Sequence, residues 1–211
     1  MKRRWLIVAV AWSFHAAFAQ EPGREGAAPP APGMANPQPA DQDRQASPLT
    51  VCLLVESAAQ AHGLPLEFFA RLIFQESRFN PGALGPATGK GQRAQGIAQF
   101  MPDTAKQRGV LDPFDPVAAL PKSAEFLREL RNQFGNLGLA AAAYNAGPKR
   151  VRKWLAGRSR LPEQTRNYVS AVTGRSAEAW RRGEGPVLTP DNRISCSDLM
   201  ALLKAEPTQF A

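Results

Sequence analysis

Between Pro65 and Ser77 the chain reads PLEFFARLIFQES, and this stretch limits the possible folds more than any other. Pro65 suits a first helical position, where its missing N–H would have no partner in any case. From there Phe69, Leu72 and Ile73 recur at helical spacing, and Glu76 falls on the same face, almost over Phe69. The period predicts an amphipathic helix that buries one side and carries an acid at the end of it. A carboxyl on the apolar side of a helix is costly to ionise, so its pKa rises and it can hold and donate a proton near neutral pH. The competing reading is structural: a helix end with a partly exposed Glu, or a Glu paired with Arg78.

The rest of the chain reads in the same period. Val51 to His62 is a helix stopped by Gly63, and Pro102 or Asp103 opens a short one that stops at Gly109. Pro121 to Phe134 turns Ala124, Leu127, Leu130 and Phe134 inward while Arg128 and Arg131 stay out. Asn136 can cap LGLAAAAYN, Pro148 to Leu155 and Leu161 to Val172 follow, and Ser176 can cap Ala177 to Arg182. Val187 to Asp191 reads as a loop, and Cys196 to Lys204 as a last helix. Arg78 to Gln95 holds Pro81, Gly82, Gly85, Pro86, Gly89 and Gly91, too many breakers for an element, so it reads as a long and therefore functional loop. No alternating strand pattern and no internal repeat interrupts this, and the expected class is all-α, one domain over residues 49–205 with a single core.

The first 19 residues read as a secretory signal: Lys2, Arg3 and Arg4, an apolar run from Trp5 to Trp12, and Ala17-Phe18-Ala19 as the cleavage site. The run is short for a membrane span, which favours a cleaved signal over the alternative of an uncleaved N-terminal anchor, and no other stretch could cross a bilayer. Residues 20–48 are rich in Pro, Ala, Gly and Gln and read as a disordered linker. With the three signal cations gone, the net charge of +8 falls to +5, still basic. That balance serves solubility or an anionic polymer. No Lys/Arg block is interleaved with aromatics in a nucleic-acid pattern. In an exported chain the two cysteines, Cys52 and Cys196, favour a disulfide over two free buried thiols. Outside the signal His62 is the only histidine, which leaves no metal cluster.

Acid–base chemistry at carboxyl groups often divides the work between two of them. Asp103 is better read as a helix cap, and Asp112 and Asp115 as turn residues bonding their own backbone. None is a partner for Glu76, so a single-acid chemistry fits better.

Four motifs follow in order: Glu76-Ser77 with Phe79-Asn80-Pro81, then GIAQFMP from Gly96, AYNAG from Ala143, and QTRNYV from Gln164. Together, over roughly residues 51–175, they resemble the lytic transglycosylases with a goose-type-lysozyme-like catalytic domain. The resemblance implies a lysozyme-like helical domain with a substrate groove, acting without cofactor or metal on peptidoglycan glycan strands in the periplasm or cell envelope. It implies a monomer, with an envelope machine as a further partner. Glu76 would protonate the β-1,4 bond between N-acetylmuramic acid and N-acetylglucosamine, then take the proton of the muramic acid carbon-6 hydroxyl as a 1,6-anhydro ring closes. Ser77 would orient part of the site, or only bond its own helix. Ala98 and Gln99 would line the groove, Gln99 bonding the sugar. Tyr144 would reach Glu76, Asn145 would shape the groove, and Tyr168 would be a second aromatic facing it. The chain departs from the family in Ala98, where many members have Met, in Gln164, where they have Glu (here Glu163, one place earlier), and in the long insertion ATGKGQRAQ. A hydrolytic lysozyme on the same fold and a peptidoglycan-binding module are the rival readings.

Overall fold

The structure is a computed structural model that describes residues 47–185 and 194–205. The signal and most of the linker lie outside the described residues, as does the Val187 to Asp191 loop. The described chain is helical, without strands, as expected. In order the helices are α1 (Pro48–Ala61), α2 (Leu66–Ser77), α3 (Pro102–Gln107), α4 (Pro116–Phe134), α5 (Leu137–Ala146), α6 (Pro148–Leu155), α7 (Glu163–Thr173), α8 (Ala177–Arg181) and α9 (Cys196–Ala205).

Several boundaries differ from the sequence reading: Pro65 occupies the cap position of α2 rather than its first helical position, and α7 starts at Glu163 rather than Leu161. Helix α1 starts at Pro48 because Ser47 accepts the Thr50 N–H and caps it, so the linker's last residue is already helical. Helix α4 starts at Pro116, not Pro121. Asp115 accepts the Val117 N–H as its cap, and Pro121 is carried inside the helix at the loss of one backbone bond. Asp103 is not a cap: it lies in the first turn of α3, where its charge suits the helix dipole, and Met101 occupies the cap position. Asp112 behaves as read, accepting the Phe114 N–H at 2.9 Å in an Asx turn.

Helix α5 is the centre of the packing. From Leu137 to Ala143 every residue is buried, and α4, α6, α7 and α8 all pack on it. Its alanines let these neighbours approach closely, and Gly138 is required outright, because a Cβ there would overlap the Trp180 indole of α8. Asn136 caps α5 through the Leu139 N–H at 2.8 Å, as predicted. Helix α2 packs on α1, α7 and α9. The Cys52–Cys196 disulfide, with Cα atoms 5.5 Å apart, fastens α9 to α1, and Leu199, Met200 and Leu203 of α9 are buried beside it.

Candidate active site

Glu76 stands in the last turn of α2. The helix ends there because Arg78 (φ 54°) and Phe79 (φ 61°) both adopt the left-handed region, and the Arg78 N–H closes on the Phe74 carbonyl at 2.8 Å. Two successive non-glycine residues in that region are strained, by on the order of 1–2 kcal/mol each. Phe79 is held by burial against Phe74, with ring centroids 5.6 Å apart, and the Arg78 guanidinium lies over the same Phe74 ring. Arg78 is therefore engaged with an aromatic face, which leaves Glu76 without the ion pair that would have made it structural.

The partner of Glu76 is Tyr168 of α7, whose hydroxyl donates to Oε1 at 2.5 Å. Burial pushes the Glu76 pKa from 4.5 up to about 7, and the Tyr168 bond pulls it the other way. A displacement of that size corresponds to about 3 kcal/mol. The complete burial of Phe69, Leu72 and Ile73 on the same helix, at about 1.5–3 kcal/mol each, is enough to seat the acid there. Both phenols stay protonated: burial first, and the Glu76 carboxylate second, raise Tyr168 and Tyr144 well above the ordinary tyrosine range. Tyr168 is thus a fixed donor and Glu76 the acceptor. No other carboxylate among the described residues acts on Glu76.

Tyr168, and not Tyr144, bonds the acid. In place of the expected bond to Glu76, the Tyr144 hydroxyl donates to the Ala98 carbonyl at 2.8 Å and meets Ser123 Oγ at 3.0 Å. Tyr168, expected only to face the cleft, makes the bond to the acid. The reason is placement. Glu76 and Tyr168 belong to the packed pair α2–α7, whereas Tyr144 is flanked by Phe100 and Phe126, with ring centroids 6.3 and 5.5 Å away. Tyr144 therefore anchors the Gly96–Met101 turn.

Gln99 belongs to that turn more than to a ligand. Its φ of 49° is left-handed, and its amide nitrogen donates to the carbonyls of Gly96 (2.9 Å) and Ala83 (3.2 Å). The expected sugar contact can come only from its carbonyl oxygen. Ala98 is fully buried, so its side chain lines nothing; its carbonyl serves Tyr144. Ser77 bonds only its own helix, through the Ile73 carbonyl at 3.4 Å. Asn145 is exposed, with Oδ1 accepting the Thr165 hydroxyl at 2.9 Å, and its NH2 group donates to no described residue.

Ser123 and Thr165 are the two buried polar residues among those described, and each holds a residue of the AYNAG motif. Ser123 lies outside the four motifs, and Thr165 lies within QTRNYV without a role of its own there; for Ser123 one signal is legible. Ser123 interrupts the inward stripe of α4 one residue before Ala124, and a polar residue at a core position needs a partner.

Two expected outcomes follow from these bonds. Tyr168→Phe removes a bond that favours the charged carboxylate, so the Glu76 pKa rises further. The alkaline limb of the pH–rate profile then moves to higher pH, on the order of one unit, while turnover falls about 10-fold as the acid loses its positioning. A profile left where it was would mean that the Tyr168 bond does not tune Glu76. Thr165→Val frees the Asn145 amide to rotate and raises KM about 5- to 10-fold with kcat little changed, and Thr165→Ser restores it. Steady-state kinetics beside a thermal melt separates that from a mere loss of folding.

The chain matches the family model described as the transglycosylase SLT domain over residues 54–167. It is 29% identical to the transglycosylase of Enterobacteria phage PRD1 over 136 residues, covering 64% of this chain and 46% of that one. It is 34% identical to the soluble lytic murein transglycosylase of Escherichia coli K12 over 131 residues, covering 52% of this chain and 20% of that one. The crystal structure of the 70 kDa soluble lytic transglycosylase from Escherichia coli superposes with a TM-score of 0.51 at 30% identity, over 67% of this chain and 26% of that one. The chain thus spans less than half the length of these relatives.

Proposed function

The chain belongs to the transglycosylase SLT domain family, and from that premise we propose that it is a peptidoglycan lytic transglycosylase working with Glu76 as its one acid and base. The observation that carries the reading is the state of Glu76: a carboxyl with a pKa of about 7, held by one phenol, with no second carboxylate acting on it. A pKa at the working pH is what a group needs when it must donate a proton in one step and accept one in the next. An inverting hydrolase would need a second acid on the far side of the sugar to activate water.

The glycan lies with its scissile oxygen against Glu76. The protonated carboxyl gives its proton to that oxygen, and the bond from the muramic acid anomeric carbon breaks with the substrate's own N-acetyl group assisting. The carboxylate, still bonded to the Tyr168 hydroxyl, then takes the proton from the carbon-6 hydroxyl as that oxygen closes on the anomeric carbon. No water is consumed and Glu76 ends protonated, ready for the next bond. In this reading the Asn145 NH2 group meets a sugar or acetamido oxygen, and the Gln99 carbonyl an N–H or hydroxyl. The signal-like N-terminus fits an exported enzyme of the cell envelope, its linker a spacer, and an envelope machine a further partner. Among the described residues no helix is long and apolar enough to cross a membrane.

The test is a digest of purified peptidoglycan analysed by mass spectrometry. Anhydro-muropeptides, one water lighter than hydrolysis products, are expected. Reducing-end products would make the chain a lysozyme-type hydrolase. Glycan binding without any product would make it a binding module.

A further inference from the structure

The connection between the two helices that hold the candidate site is strongly basic. From Lys149 to Arg160 it carries Lys149, Arg150, Arg152, Lys153, Arg158 and Arg160 and no acid. All six are exposed and none forms an ion pair with a described residue. On α6 the buried residues are Val151 and Trp154, so the four helical cations fan out over the opposite face. Arg181 of α8 adds a seventh charge by lying over the Trp154 ring, 5.3 Å from its centroid. Arg152 and Lys153, in the last turn, suit the helix dipole. The dipole does not account for Lys149 and Arg150, which stand in the first turn, where positive charge is unfavourable.

The position of this segment follows from one bond. The chain leaves the site at Asn145 and returns to it at Thr165, and these two residues are joined at 2.9 Å. The basic stretch is a loop-out from that point, and an eight-residue helix extends only about 12 Å. Its cations therefore stand within one helix length, plus a side chain, of the Asn145 amide.

We infer that the face formed by Lys149, Arg150, Arg152 and Lys153 recognises the carboxylates of the peptide stems on the glycan that occupies the site, an inference that rests on the function proposed above. In such a polymer the N-acetylated sugars are neutral and the acidic groups belong to the peptides, so a basic rim has only the stems to act on. The distances agree: an extended stem of four residues reaches about 14 Å, which spans the helix from end to end. Trp154 is buried, so the face offers no aromatic platform on which nucleic-acid bases could stack.

The experiment compares peptide-bearing glycan strands with strands stripped of peptide by an amidase and with the freed lactyl carboxylates capped as methyl amides, so that the stripped strands are neutral, using the full chain and Lys149→Gln/Arg152→Gln/Lys153→Gln. The wild type is expected to prefer the peptide-bearing strands, and in the variant that ratio of kcat/KM falls about 3- to 10-fold. About 0.5 M salt produces the same fall in the wild type. A ratio unchanged by the substitutions, or an equal loss on both substrates, overturns the inference. So does binding to anionic phospholipid vesicles that the substitutions abolish while the ratio stays the same, since that would assign the face to a lipid surface. Co-sedimentation of Glu76→Gln protein with the two glycans measures the same preference without turnover. Failure of the catalytic reading, with no products from either substrate, is thereby separated from failure of this one.

Discussion

Glu76→Gln is expected to lower turnover by about 10³- to 10⁴-fold, since the amide can neither donate the proton to the leaving oxygen nor take one back. The same substitution is expected to stabilise the protein at neutral and alkaline pH. The folded-state pKa of Glu76 is raised to about 7 from 4.5, so between those values the folded chain holds a proton that the unfolded chain has lost. Stability attributable to Glu76 then falls as pH rises through that window, and above pH 7 the ionised carboxylate costs up to about 3 kcal/mol. Gln carries no such cost. Thermal unfolding should show the variant more stable than the wild type at pH 8 and the difference shrinking towards pH 4. In wild type, kcat/KM should decline above about pH 7 as the acid ionises. A variant that lost activity and stability together would contradict this account, because it would make Glu76 a structural group.

That trade of stability for a proton is legible in the residue pattern alone. Glu76 on the stripe of Phe69, Leu72 and Ile73 is a violation of helix patterning, and such violations collect at functional sites. Most helices are legible for the same reason, because their apolar residues recur at a period that only one backbone geometry places on a single face. What the pattern does not encode is which of two polar groups meets which. Tyr144 and Tyr168 are both aromatics near helix ends, and which of them bonds Glu76 depends on α2 packing against α7, a contact between residues 92 positions apart. The parts played by Ser123, outside the motifs, and by Thr165, inside QTRNYV, are not legible because each side chain matters only through a partner on another helix. The boundary differences are local: Asp115 and Ser47 are good caps, but a proline or an apolar residue a few positions further on makes a later start look equally good.

Gly96→Ala is expected to cost about 2–5 kcal/mol and to take the site with it. Two independent effects add. Gly96 has φ 73°, a region that costs an L-residue with a Cβ about 1–2 kcal/mol. In addition, a Cβ at this position would fall on the carbonyl of Pro113, a backbone group that cannot rotate aside; forcing such an overlap costs about 1–3 kcal/mol or more. The strained turn begins here: the Gly96 carbonyl accepts the Gln99 side-chain amide, and its N–H bonds the Ala83 carbonyl at 2.9 Å. Displacing Gly96 therefore shifts Gln99 and the Ala98 carbonyl that anchors Tyr144. Gly91→Ala separates the two effects. Its φ of 74° is nearly the same, but nothing lies within 4 Å of its would-be Cβ. It should lose only about 1–2 kcal/mol in chemical denaturation and keep its activity. If the two variants unfold alike, the close approach to Pro113 carries no energy, and the Gly96–Met101 turn is held by its backbone angles alone.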